Sequence, residues 1–227
     1  MVAAENIQTV EEFLETIFEA GLRHMGTVSL AYHNLNHVTS MLDGFREVAS
    51  SNDVFSRVYS SKRLNLHIRL AIAWHDAVYM IGAPKGQNEK QSADMFKASI
   101  PAETYSRFPD LRDHVIEIEQ LIMVTAEHFT SYRPNSEAEC VMMDLDVLNF
   151  SWESPQFLAA SRAVDAEARQ RFTEEEAFNG RYAFFKSIKG FRYYLLDGEY
   201  QRQATRNINL MLGLFGEASM ARTLIKR

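Results

Sequence analysis

The chain has little cysteine, proline or glycine. Its 227 residues include one cysteine, Cys140, so no disulfide can form within the chain, and a reducing compartment is expected. Cys140 lies in the apolar run AECVMMDLDVL, which favours a buried, inert thiol over a nucleophile. Apolar runs stay far shorter than the roughly 20 residues that span a bilayer, and the first residues include early acids. We therefore expect a cytoplasmic protein without a signal peptide or a membrane segment.

Positive charge is not in excess either. The formal net charge is -6, whereas a nucleic-acid binder usually has a basic stripe, so no nucleic-acid partner is expected. Hydrophobic residues make up 46% of the chain and charged residues 24%, which is typical of a globular protein and excludes a disordered one. The composition leaves open whether the chain forms a homo-oligomer.

The hydrophobic pattern is helical. Strict alternation is hard to find, whereas apolar residues recur three and four positions apart in most segments. The pattern predicts an all-α fold in which residues 1–227 form one compact multi-helix domain. Residues 151–227 would form a C-terminal helical layer on a core at about residues 30–150. The helix over roughly residues 63–80 is apolar on most sides, as expected for a central buried helix.

Helix ends are indicated by several local signals. Thr9 with Glu12, and Thr173 with Glu176, have the spacing of a capping box. Asn88 is expected to cap a helix that follows the loop MIGAPKGQ. Another helix is predicted over about residues 137–149.

Two of the seven histidines, His33 and His37, are four residues apart in the segment YHNLNHV. If this segment is already helical, both imidazoles project from one face. They could then serve one metal ion, or one metal ion and one proton transfer. The spacing alone equally allows two helix-start histidines without a joint role.

His75 and Asp76 are adjacent within the apolar run AIAWHDAVY. Neighbours in a regular helix point about 100° apart, so they seldom share a ligand unless the helix ends there. Burying the pair without partners would be costly. A metal ion would satisfy both with an imidazole nitrogen and a carboxylate oxygen. The alternative is a solvent-facing pair at a helix end near the loop 81–87.

Asp144 and Asp146 interrupt a further apolar run, MMDLDVLNF. Acidic residues are seldom buried without partners. One of the two could complete a metal site while the other supports it. The alternative is that both face solvent.

These features together resemble the HD superfamily of metal-dependent phosphohydrolases. The order His, His-Asp, Asp is the signature of that superfamily, and AIAWHDAVY resembles the helix that carries its His-Asp pair. YHNLNHV resembles the Tyr-His-Asn-x-x-His stretch of cyclic nucleotide phosphodiesterases, which share the arrangement. The segments NEKQSA, LIMVTAEH, MDLDVL, FNGR and ATRN resemble successive blocks of a bacterial group of predicted HD phosphohydrolases. The resemblance covers about residues 30–210.

The resemblance implies a centre with one or two divalent ions, and the ligand types suit Mn, Mg, Fe, Co, Ni or Zn. The implied ligands are His37, His75, Asp76 and Asp146, with Asp144 as the alternative to the last. Two residues, His33 and the ligand Asp76, are expected to be catalytic. His33 would protonate the leaving oxygen, and Asp76 would bridge to a second ion.

Further residues are assigned supporting roles by the same resemblance. Glu89 would hold a water at the metal, and Asn88 would cap the helix of Glu89. His128 would contact the substrate phosphate or the second ion. Arg181, in the FNGR block, would help to seat the phosphate.

The implied activity is hydrolysis of a mono- or diester of phosphate, with a nucleotide or another small phosphorylated molecule as substrate. The histidine-rich stretches and the glutamine-bearing base pocket of cyclic nucleotide phosphodiesterases are absent, so cyclic nucleotide specificity does not follow. Two alternatives remain. One is a regulatory module that binds metal and nucleotide without turnover. The other is an oxygenase-type HD protein with a di-iron pair, which needs more histidine ligands than His128 supplies.

Overall fold

In the computed structural model, residues 7–225 are described, with side chains up to residue 220. These residues form eleven α-helices and no strand, which confirms the predicted all-α class. The helices are α1 (Val10–Met25), α2 (Leu35–Ala49), α3 (Asp53–Ser60), α4 (Lys62–Trp74), α5 (Gln87–Ala98), α6 (Thr104–Arg107), α7 (Leu111–Met123), α8 (Glu137–Asp146), α9 (Ser154–Ala168), α10 (Glu174–Ser187) and α11 (Gly198–Ile225). Two 3₁₀ turns, Val124–Glu127 and Leu148–Ser151, follow α7 and α8.

The helices fall into two compact units. The first unit ends at Asp146 and holds α1 to α8, and the second begins at Val147 and holds α9 to α11. That the whole chain forms one domain stays a prediction. Within the described residues, no helix combines the length and the apolar character that crossing a bilayer requires.

The centre of the first unit is α4. It contacts α1, α2, α3, α5, α7 and α8, and Ile68, Leu70 and Ile72 have no exposed surface. The approach of α1 is close, because a Cβ on Gly21 would come within 2.7 Å of the indole Nε1 of Trp74. The prediction of a central buried helix is confirmed. Packing on so many sides fixes the position of the C-terminal end of α4.

The predicted helix ends are confirmed only in part. Both predicted capping boxes, at Thr9 and at Thr173, are present. The helix predicted for residues 63–80 is wrong at its end, because α4 stops at Trp74 with His75 as C-cap. The ring of His75 bonds the carbonyl of Ile72 at 2.9 Å, which is the carbonyl that the next amide would need to continue the helix.

In the second unit, the block ATRN has a structural role. Asn207 of α11 is fully buried and donates to the carbonyls of Phe150 and Trp152, at 2.9 and 2.7 Å. Its side-chain oxygen accepts a bond from the Ser154 hydroxyl at 2.8 Å. These bonds fasten the start of α9 and the turn before it to α11.

A buried pair of histidines joins α4 to α7. Nε2 of His67 lies 2.7 Å from Nδ1 of His114, and both residues are buried. Burial, together with the neighbouring His114, lowers the pKa of His67 to about 4.

This low pKa makes stability depend on pH. Because an unfolded histidine has a pKa near 6.5, the unfolded chain binds more protons than the folded one between about pH 4 and pH 6.5. The free energy of unfolding is therefore expected to fall by up to about 3 kcal/mol as the pH is lowered through this interval. His67→Gln, which keeps an amide for the bond to His114, should lose this part of the pH dependence. Denaturant titrations at several pH values from 4 to 7 measure the free energy of unfolding. If it changes with pH equally in the wild type and in His67→Gln, His67 is not the source of the pH dependence.

Candidate metal centre

Four side chains converge in the first unit at the end of α4. His37 lies in the first turn of α2, His75 is the C-cap of α4, and Asp146 is the last residue of α8. Asp76 lies just beyond α4, in a turn. Since the helix has ended, the adjacent side chains of His75 and Asp76 point to the same place.

The potential ligand atoms have the spacing of groups around one ion. One atom each from His37, His75 and Asp76 lies within 4.8 Å of the other two. Nε2 of His75 is 3.0 Å from Oδ2 of Asp76 and 3.4 Å from Oδ1 of Asp146. Nε2 of His37 is 3.7 and 3.2 Å from the same two oxygens. Two atoms bound to one ion at about 2.1 Å are separated by about 3.0 to 3.4 Å, depending on the angle. Three of the four distances fall in this range, and the 3.7 Å between His37 and Asp76 lies just beyond it, so a shared ion could be held after a small adjustment.

The tautomer of His75 indicates that a cation belongs between its Nε2 and the carboxylates of Asp76 and Asp146. A carbonyl can only accept, so Nδ1 of His75 carries the proton in its bond to Ile72, and Nε2 of the neutral ring carries a lone pair. Nε2 is buried, makes no hydrogen bond and faces two carboxylate oxygens. A lone pair in that position is repelled unless a proton or a metal ion lies between. A backbone carbonyl on the other ring nitrogen is also the usual support of a histidine that binds metal.

The pKa values of the surrounding groups also indicate that positive charge is favoured beside His75. Burial opposes protonation of His75, but the carboxylates of Asp76 and Asp146 outweigh it and hold its pKa well above the ordinary value. Burial also opposes ionisation of Asp146, yet His75 and the bonds from His128 and His37 hold its pKa well below the usual range. The centre therefore attracts positive charge, and without a metal ion a proton takes that place.

His128 supports Asp146 from the other side. Its Nε2 donates to Oδ2 of Asp146 at 2.7 Å, which leaves Oδ1 facing His37 and His75. The next residue, Phe129, has a φ of 63°, a left-handed conformation that is rare for a bulky side chain. A contact of His128 with phosphate or with a second ion stays a prediction.

His33 lies beside the centre but not on α2. The helix begins at Leu35, with Asn34 as its N-cap, so His33 belongs to the preceding turn. Its ring centroid is 6.1 Å from that of His37, and it stacks on Tyr79 with the centroids 3.5 Å apart. Burial opposes ionisation of Asp76, but the charges of His75 and then of His33 lower its pKa. His33 and His37 therefore lie at one site although they do not project from one helix face.

The first turn of α5 also borders the centre. Burial raises the pKa of Glu89, and the carboxylates of Asp76 and Asp146 raise it further. The expectation that Asn88 caps the helix is wrong, because α5 begins after Gly86, whose φ of 78° suits the absence of a side chain. Asn88 has a different role in the structure, which is to bond the backbone beyond the His75–Asp76 pair.

Two of the expected residues have other partners. Of the two late aspartates, Asp146 is the one at contact distance from the histidines. Asp144 is buried on α8, close to Cys140. Burial of the Cys140 thiol raises its pKa, and the carboxylate of Asp144 raises it further. Arg181 lies in the second unit, where it donates to Asp165 and Ser161, each at 2.9 Å. Its role toward a phosphate stays a prediction.

Sequence reasoning missed Tyr79, the stacking partner of His33. The aromatic residue is one of several in an apolar run, and its spacing from His75 suggests only another buried helical position. It meets His33 because the chain leaves the helix at Trp74. Only the position of that helix end could have revealed the contact.

No family model, no curated protein and no solved structure matches this chain. What the centre can do therefore has to follow from its own chemistry. It has two buried imidazoles and two partly buried carboxylates, of which His37, His75 and Asp76 could hold a metal ion, and a third histidine, His33, lies beside it.

Proposed function

We propose that this chain is a metal-dependent phosphohydrolase that cleaves a phosphate ester of a nucleotide or another small molecule. The observation that carries the proposal is the buried Nε2 of His75, which faces Asp76 and Asp146 without a hydrogen bond. When bound, a divalent cation would offset charge on the phosphoryl oxygens and lower the pKa of a water from 15.7 toward about 7.

The residues of the centre divide the remaining work. His37, His75, Asp76 and Asp146 would hold the ion, and their mixed nitrogen and oxygen donors suit several first-row metals. His33 would give a proton to the leaving oxygen, and stacking on Tyr79 holds its ring in one orientation. Glu89, whose raised pKa reflects its burial and the neighbouring carboxylates, would accept a hydrogen bond from a water that enters the site.

The family assignment is part of the proposal. His37, the pair His75–Asp76 and Asp146 come from α2, the end of α4 and the end of α8, in the order of the HD signature. Their convergence, over sequence separations of up to 109 residues, supports membership in the HD superfamily.

The test measures metal content and turnover together. The purified protein is expected to contain or take up Mn²⁺, Co²⁺, Fe²⁺ or Zn²⁺, and metal at about 100 times its Kd should raise the free energy of unfolding by about 2.7 kcal/mol. With Mn²⁺, Mg²⁺ or Co²⁺ it should hydrolyse at least one of 4-nitrophenyl phosphate, bis(4-nitrophenyl) phosphate and a panel of nucleoside mono-, di- and cyclic phosphates. A chelator should abolish that turnover.

Each other result rejects a defined part of the proposal. Absence of metal binding under all conditions rejects the metal centre. Metal binding without turnover of any ester favours the regulatory module. An iron charge-transfer band in the visible range, again without ester hydrolysis, favours the oxygenase class.

A further inference from the structure

The residues that follow the His75–Asp76 pair have no helix to hold them. α4 ends at Trp74 and α5 begins only at Gln87, so residues 77–80 have irregular backbone. The amide of Ala77 bonds back to the carbonyl of Trp74 at 3.0 Å. Asp76 lies between this helix end and the irregular segment. The direction of its carboxylate therefore depends on what holds residues 77–80.

Two side chains of α5 bind this segment from one side. The Ser92 hydroxyl accepts from the amide of Val78 at 3.0 Å and donates to its carbonyl at 3.3 Å. Oδ1 of Asn88 accepts from the amide of Met80 at 3.0 Å, and Nδ2 of Asn88 donates to the Met80 carbonyl at 3.3 Å. Ser92 is fully buried, so both of its bonds are sheltered from competing water.

One side chain of α1 binds the segment from the other side. Nε2 of His24 donates to the carbonyl of Ala77 at 2.7 Å, and its ring lies nearly parallel to the indole of Trp74, with an angle of 7° between the two planes. The indole in turn donates to the carbonyl of Ile17, also on α1, at 3.2 Å. α1 therefore contacts the chain on both sides of the His75–Asp76 pair.

We propose that His24, Ser92 and Asn88 are positioning residues for the metal centre. They bond to backbone and hold residues 77–80, and through that segment they keep the carboxylate of Asp76 directed at the ion. The inference rests on the proposed metal centre. It predicts that loss of these bonds weakens metal binding, because a ligand supplied by irregular backbone must be held by its surroundings.

Cobalt serves as the probe, since bound Co²⁺ reports affinity and ligand geometry through its visible absorption. His24→Ala and Asn88→Ala are each expected to bind Co²⁺ about 10 to 100-fold more weakly than the wild type, with an altered visible band and unchanged far-UV circular dichroism. His24→Gln keeps an N–H donor and should recover most of the affinity. At saturating Co²⁺, kcat should return toward the wild-type value, since no acid or base has been lost.

The matched control is Asn65→Ala. It removes a side-chain bond of the same kind, from Nδ2 of Asn65 to the carbonyl of Tyr59 at 3.0 Å, on a different part of the first unit. Its Co²⁺ affinity should equal that of the wild type.

The outcomes separate the two proposals. If the wild type binds no Co²⁺, the metal centre is rejected and the positioning role with it. If the wild type binds Co²⁺ and His24→Ala and Asn88→Ala bind it equally well, the centre stands and the positioning role is rejected. An equal loss in Asn65→Ala also rejects it. Should His24→Ala fail to fold, Asn88→Ala decides, because it carries the same expectation from another helix.

Discussion

Replacing Asp146 by asparagine is expected to weaken binding of a divalent ion by more than about 100-fold, while the same change at Asp144 leaves it nearly unchanged. Loss of a group that only supports a ligand already costs about 10 to 100-fold, so loss of a ligand should cost more. Hydrolysis at limiting metal should fall in parallel.

The physical reason is that Asp146 is shared by three histidines. Its Oδ1 faces His37 and His75, and its Oδ2 accepts from His128. Asparagine replaces one oxygen by an amino group, which cannot bind a cation, and it removes one of the two charges that attract the ion. The buried His75 then loses much of what favours a positive charge beside it.

Asp144→Asn is the matched control, since both residues are on α8 and differ in what they face. Affinity is measured by competition with a chromophoric chelator for Mn²⁺ and Zn²⁺, and circular dichroism checks the fold. An equal loss in both variants would show a general effect on α8. A loss in Asp144→Asn alone would make Asp144 the ligand and contradict the assignment of Asp146.

His33→Gln is expected to lower turnover by about 10²–10⁴-fold and to leave metal affinity unchanged. His33 lies in the turn before α2, beside the four proposed ligands, and stacks on Tyr79. In the proposed mechanism it donates a proton from that position to the leaving oxygen. Glutamine can still form hydrogen bonds there, but it cannot give up a proton at neutral pH.

The leaving group supplies a sharper test of this role. 4-Nitrophenolate leaves without a proton, whereas the alkoxide of a nucleoside needs one. The defect of His33→Gln should therefore be much smaller for a 4-nitrophenyl ester than for a nucleotide, with both measured at saturating metal. An equal defect for both esters would mean that His33 serves in binding or structure and donates no proton.

Part of the site was accessible to sequence reasoning because its residues are chemically unusual where they occur. His75–Asp76 and Asp146 interrupt apolar helical runs, and such polar groups need partners when they are buried. The choice between Asp144 and Asp146 was not accessible. The two residues are two positions apart on one helix, and which of them faces His37 depends on how α8 is rotated against α2 and α4.

The supporting residues were inaccessible for a related reason. His24 and Ser92 show no pattern in the sequence, and each became relevant only because it bonds backbone that lies 53 or 14 residues away.

The short helix α3 was also not predicted from the sequence. It begins after Asn52, whose side chain accepts from the amides of Val54 and Phe55.

By itself the sequence determined the all-α class, the central position of α4 and the capping boxes at Thr9 and Thr173, because these features arise from periodicity and contacts within one helical turn. The tertiary structure decided where α4 ends, which aspartate reaches the histidines and what holds residues 77–80. Those outcomes depend on helices packed together across long stretches of chain, such as the 109 residues between His37 and Asp146. Local spacing carries no information about such packing, and for that reason the geometry of the candidate metal centre is visible only in the folded chain.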